Sequence, residues 1–380
     1  MEVFHQAWTV IRDDFFDPNY NGVNWQEVRD RFEPVVRGAM TRDDLIELLS
    51  LMMGELNASH TGAFGGGGSN NDAFLGVHFD RDVLEEEGYL RISEIIPQGP
   101  MALAENPPKV GDYIVEIDGV KIERGVRLEE LLYRKAGRRV FVKINDNPSL
   151  DGAREIVVQP ANYGRMKNLE YRYWVRRNAE YVHRKSDGRL GYVHIRAMDY
   201  PSYMQFLVDL DVETHAKEGV IVDVRYNGGG HIASFILDVL LRRGYALSKF
   251  RDRAIYWSTN LAGNRILDKP VILVHNEHSG SNAEMFTEGF RRLNLGKTVG
   301  TPTAGAVIWT WNVTLIDGTR VRIPRFQIWS TSGESLEGRS READFWVERE
   351  FGETAKGVDS QLDVAIEKLL EQIDEVKKEV

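Results

Sequence analysis

Apolar positions along the chain follow three successive patterns. Over residues 2–54 they recur at helical spacing: Val3, Ala7, Val10 and Ile11 form one stripe, and Leu45, Leu48, Leu49, Met52 and Met53 form another. Thr41-Arg42-Asp43-Asp44 carries a Ser/Thr-x-x-Asp cap, which predicts that the second helix opens there and runs out near Gly54. Over 72–160 the pattern changes to short strand-sized runs: FLGVHF, LRISEII, DYIVEIDG, VFVKI and EIVVQP. One helical segment, LEELLYRKA, lies between the third and fourth. The third pattern alternates strands at 192–195, 219–223, 271–274 and 298–300 with helices at 232–241 and 284–293, the signature of a βα-layered sheet. A charged amphipathic helix over 360–380 closes the chain, with Leu362, Ile366, Leu369, Leu370 and Ile373 on its packed side. GAFGGGGSNND, between the first two patterns, reads as a flexible linker. The predicted fold class is α+β multidomain: a helical part over 1–68, a β-rich module over 72–160, and an α/β core over 161–380.

Composition narrows the partners. With 380 residues and 42% hydrophobic content, the chain can bury a sizeable core divided among domains. A net charge of −10 argues against nucleic acid. The longest apolar runs, VIVDV and VILV, are far too short to cross a bilayer, so no membrane partner is expected. MEVFHQAWTV lacks a basic stretch followed by an apolar one, so no secretory signal is read and a cytoplasmic location is expected. The absence of cysteine removes disulfides, thiolate zinc sites and a cysteine nucleophile. Neither a metal nor a cofactor is implied.

The chemistry lies in four separated pieces. VDVRYNGGG is an apolar strand ending in Gly228-Gly229-Gly230 before a helix. It lacks the GK[ST] of a phosphate loop, and three glycines exceed what a tight turn needs; they let backbone amides converge on an anion. Ser281, in SGSNAE between a strand and a helix, is placed to expose a hydroxyl and to aim the next amide, that of Asn282, at whatever it attacks. Position alone also favours a plain helix cap for Ser281 and leaves Ser279 as a rival. The Ser59-His60 pair and Glu337 in SLEGRS have ordinary structural readings when taken singly. Jointly the pieces supply a nucleophile, a base, an orienting carboxylate and oxyanion donors.

In the order GELNASHTG, DVRYNGGG, NEHSGSNAE, VGTPTAG, LIDGTRV and DSQLDVAIEKLLEQI, the chain resembles the catalytic half of the tricorn core proteases, within the C-terminal processing peptidases. The resemblance implies a cofactor-free serine endopeptidase with a PDZ-like module and a ClpP/crotonase-like core. By position it makes Ser281 the nucleophile, His60 the base, and Ser59 and Glu337 a relay to the imidazole; Gly230 and Asn282 supply the oxyanion amides. The serine-lysine alternative of the wider family is not available, because the matching stretch reads Thr303-Ala304-Gly305-Ala306. The resemblance further implies substrate contacts at Gly228, Gly229 and Ala246, and a carboxylate-binding loop at Phe74-Leu75-Gly76-Val77. Ala246 stands where the family carries an aspartate selective for basic P1 residues, so a shift towards apolar P1 is expected, with Asp252 a possible substitute. A hexameric ring acting on peptides or unfolded polypeptide is implied by the long form, whose β-propeller domains have no counterpart in this sequence. The rival reading is a non-catalytic protein on the same scaffold that binds peptide C-termini or apolar ligands.

Overall fold

The computed structural model describes residues 1–65, 71–243, 245–249, 251–252, 256–257, 267 and 269–379; the predicted linker's central residues, 66–70, lie outside these. The chain divides into two compact units, one formed by 1–66 with 179–380 and the other by 67–178.

The first unit is built on a five-stranded parallel sheet, in the order Leu190–His194, Gly219–Asp223, Val271–His275, Gly296–Gly300, Phe345–Trp346. Leu190–His194, Gly219–Asp223 and Val271–His275 are buried throughout, which is why they read as continuous apolar runs rather than alternating ones. Val220, Val222, Leu273, Ile236, Phe286 and Phe290 belong to one core between the sheet and helices Ala233–Leu241 and Asn282–Arg292. The helix Ser360–Glu379 buries Leu362, Ala365, Leu369 and Ile373. Its Leu369 and Ile373 side chains lie against Gly219 at the start of a central strand.

A second sheet in this unit is antiparallel, in the order Gly62–Phe64, Arg320–Gln327, Ile308–Thr314. Ala63, Val321 and Ile323 share a core with Phe4, Ile11, Trp25 and Met53 of the N-terminal helices. Those helices are Glu2–Asp14, Trp25–Val36 and Arg42–Gly54. The cap predicted at Thr41 is present: Thr41 Oγ1 accepts from Asp44 N–H at 3.1 Å, and Asp44 Oδ2 accepts from Thr41 N–H at 2.9 Å. It opens the third helix, not the second. Trp25–Val36 escaped the apolar reading because it buries only Trp25, Val28 and Val36.

The other unit carries a six-stranded antiparallel sheet, with Val77–Phe79, Leu90–Ile95, Tyr113–Ile117, Val140–Asn145 and Arg154–Val158 in that order and Val120–Lys121 beside Tyr113–Ile117. Inward residues such as Ile92, Ile114, Val142, Ile144 and Val158 form its core. Among the described residues no helix is long and apolar enough to cross a membrane.

Candidate active site

Ser59 and His60 follow the helix Arg42–Gly54 and precede the short strand Gly62–Phe64. Ser59 N–H donates to Glu337 Oε1 at 2.8 Å, and its hydroxyl donates to Glu337 Oε2 at 3.0 Å. The same hydroxyl oxygen lies 2.9 Å from His60 Nδ1. Ser59 has one hydroxyl proton, and with it committed to the carboxylate its lone pair is left to accept Nδ1–H. The tautomer follows: Nε2 is bare and can act as a base. Burial, then the Arg322 cation, pull the His60 pKa below the ordinary imidazole value, against an opposing pull from Glu337. The ring is therefore neutral, as a base must be, at neutral pH.

Ser281 sits between strand Val271–His275 and helix Asn282–Arg292 with φ 56° and ψ −120°. This strained conformation is the kind a strand-to-helix turn uses to push a hydroxyl outward. Glu284 fixes the turn by accepting from Ser281 N–H at 3.0 Å. Ser279, the rival hydroxyl, is fully buried and spent: it donates to Val224 O at 2.8 Å and accepts from Asn276 N–H at 3.0 Å.

The glycine turn lies directly against Ser281. A Cβ placed on Gly229 would come within 2.6 Å of Ser281 Cβ and 2.8 Å of Asn282 N, and one on Gly230 within 2.0 Å of Met198 O. Both have positive φ, 97° and 147°, so no other residue fits either position. Gly228 has open space around it. The amides of Gly230 and Asn282 donate to no other group among the described residues, which leaves both free for an anion. Buried Asn227 joins the turns, its Oδ1 accepting from Gly229 N–H and its carbonyl from Gly280 N–H, each at 2.9 Å. The Asn282 side chain accepts from Ala233 N–H at 2.9 Å, anchoring the helix that follows the glycines.

A short strap links the Ser281 turn to the Ser59–Glu337 pair. Glu284, fully buried, accepts from Thr303 Oγ1–H at 2.6 Å and from the amides of Gly305 and Ala306, each at 2.8 Å. The next amide, that of Val307, donates to Glu337 Oε2 at 2.8 Å. Three consecutive amides thus run from the carboxylate behind Ser281 to the carboxylate behind His60. Among the described residues no hydrogen bond joins His60 to Ser281 directly. Sequence reading quoted Asn227 and Glu284 within motifs but gave them no role; Glu284's place three residues after Ser281 was the available signal.

Of the other expected site residues, Ala246 is half-buried just before strand Leu247–Ser248, and Asp252 is exposed with no hydrogen bond to the site among the described residues. In the other unit Leu75 is buried and Gly76 has φ 78°; their carbonyls accept from Met101 and Ile96 N–H, both at 2.9 Å.

A strained serine beside two unspent amides, with a histidine whose tautomer a serine-carboxylate pair sets, provides the parts of an acyl-transfer site. Comparison with known proteins narrows the class. Residues 189–347 match peptidase family S41, and residues 1–54 match the tricorn protease C1 domain. The chain is 32% identical to tricorn protease homolog 1 of Streptomyces coelicolor over 98% of its length, and 31% identical to the tricorn protease of Thermoplasma volcanium over 100%. It spans 35% and 37% of those two relatives. The crystal structure of the tricorn protease superposes with a TM-score of 0.82 at 24% identity, covering 98% of this chain and 36% of that one. The chain belongs to peptidase family S41, on its tricorn branch.

Proposed function

We propose that the chain is a serine endopeptidase acting on peptides or unfolded polypeptide. The observation that carries this reading is the placement of Gly229 against Ser281 and Asn282, with the Gly230 and Asn282 amides unspent. Ser281 Oγ attacks the scissile carbonyl carbon while His60 Nε2 takes its proton, and the amides of Gly230 and Asn282 hold the resulting oxyanion. Collapse breaks the C–N bond, and the imidazolium returns the proton to the leaving amine. Water then attacks the Ser281 ester by the same route in reverse, releasing the acid. Ser59 and Glu337 hold the imidazole's tautomer and stabilise the imidazolium, the work an aspartate does in a triad.

The test is reaction with a serine-directed phosphonate, followed by intact mass and peptide mapping. A single adduct on Ser281 is expected. Its rate is expected to rise with pH along a limb centred below pH ~6.5, because the base must be neutral and His60 is held below that ordinary value. No adduct would favour the peptide-binding alternative.

In this reading residues 72–160 are a PDZ-like module whose Leu75–Gly76 loop receives a peptide C-terminus, the core is ClpP/crotonase-like, and the chain assembles as a hexamer. Ala246 in place of an acidic selector shifts P1 preference from basic towards apolar side chains. A P1 panel in which Lys and Arg remain strongly preferred would overturn that last point.

A further inference from the structure

Behind the glycine turn lies a buried charge cluster that the proposed mechanism does not use. Arg225 follows strand Gly219–Asp223 by two residues, and its side chain is wholly buried. Its Nε and Nη2 donate to the Asp223 carboxylate at 2.9 and 2.7 Å, and the Tyr192 hydroxyl donates to the same carboxylate at 2.8 Å. Its Nη1 reaches a distant part of the chain. It donates to both oxygens of Asp359, at 3.0 and 2.9 Å, and to Gln361 Oε1 at 3.1 Å. Asp359 precedes helix Ser360–Glu379 and caps it, accepting from Leu362 N–H at 3.1 Å. Burial works against the guanidinium's charge, and the Asp223 and Asp359 carboxylates overcome it. A buried ion pair adds little stability over well-packed apolar side chains, so stability alone does not account for the cluster.

The backbone that Arg225 belongs to runs straight into the glycine turn. Arg225 N–H donates to Asp223 Oδ1 at 2.9 Å, and its carbonyl accepts from His194 Nε2–H at 2.9 Å. Tyr226, held at φ 62°, donates its N–H to Asn276 Oδ1 at 3.1 Å. Asn227 N–H donates to Val224 O at 3.2 Å, and its Nδ2–H to Ile195 O at 2.8 Å. Gly229 N–H is already held by Asn227 Oδ1, so the turn has little freedom left. The unspent Gly230 amide takes its direction from that turn, and the Arg225 fork ties the turn to the start of the C-terminal helix. We infer that Arg225 and Asp359 are positioning residues for the oxyanion hole, so that seating of the C-terminal helix is a condition for the Gly230 amide to meet the oxyanion. This rests on the peptidase reading above.

The experiment uses two variants. Arg225→Lys keeps the charge but loses the fork, so it cannot hold Asp223 and Asp359 together. Asp359→Asn keeps a cap for Leu362 N–H but turns an NH2 group towards the guanidinium. Steady-state kinetics are read beside the affinities of a peptide aldehyde and the matching peptide alcohol. The aldehyde carbon bonds to Ser281 Oγ, the serine proton passes to His60, and the former carbonyl oxygen becomes an oxyanion in the hole; the alcohol forms no adduct. Each variant is expected to lower kcat and aldehyde affinity about tenfold or more, part of the loss that follows removal of an oxyanion donor. KM and alcohol affinity are expected to stay nearly unchanged, and the double variant to cost little more than either single one, because both cut the same tie. Should a charge variant fail to fold, Gln361→Met, which removes one acceptor of Arg225 and no charge, is expected to show the same split on a smaller scale. Unaltered kcat and aldehyde affinity in a folded variant would overturn the inference, as would equal losses for aldehyde and alcohol. Failure of the peptidase reading appears separately, as absence of the phosphonate adduct in the unaltered protein.

Discussion

Replacing Ser281 with alanine is expected to lower peptide cleavage by on the order of 10^4- to 10^6-fold while leaving thermal unfolding nearly unchanged. The loss is large because nothing nearby can substitute. Ser279 is two residues away, but its hydroxyl is buried and committed to Val224 O and Asn276 N–H. Fold is spared because the turn is held through the backbone: Glu284 grips Ser281 N–H, and Glu284 N–H donates to the Ser281 carbonyl at 2.9 Å. Alanine has the same Cβ as serine, so it adds no strain at φ 56° beyond what serine already bears. Steady-state turnover and a melting curve on the same preparation check this. Cleavage retained within tenfold would move the nucleophile elsewhere, and a large drop in melting temperature would make Ser281 a structural residue.

Much of the architecture was legible because burial on both sheet faces leaves a plain trace. GVIVD and VILV read as strands since every position is covered, and the observed strands Gly219–Asp223 and Val271–His275 match them to within one residue. Helices Tyr163–Lys185 and Tyr200–Thr214 were missed. The second buries only Phe206 and Leu210, so its apolar stripe is too thin to stand out. The hairpin Ile308–Thr314 with Arg320–Gln327 was also missed, although LIDGTRV held its Asp-Gly turn and the flanking residues alternate.

Candidate residues for the site were legible as residue types in a chain order. Their coupling was not, because it passes through backbone amides. Nothing in the pattern of side chains announces that Gly305, Ala306 and Val307 give their N–H groups to two different glutamates.

That coupling leads to the second large effect. Glu284 accepts four hydrogen bonds, from Ser281 N–H, Thr303 Oγ1–H, Gly305 N–H and Ala306 N–H. Burial raises its pKa and the four donors oppose that rise, so the charge is held in place by contacts water cannot replace. In Glu284→Gln one carboxylate oxygen becomes an NH2 group, which must face at least one donor and push it away. The strap over 305–307 then loosens at the Ser281 end while Val307 stays on Glu337, so Ser281 and the proposed base His60 drift apart. A displacement near 1 Å in such a pair costs about 100-fold in turnover. The expected result for Glu284→Gln is therefore a kcat roughly 100-fold lower, with KM little changed because the peptide-binding surfaces are untouched. Glu284→Ala strands all four donors in the interior and is expected to cost about 3–5 kcal/mol of stability. A Glu284→Gln enzyme with unaltered kcat would show that the strap holds the fold and not the alignment of Ser281 with His60.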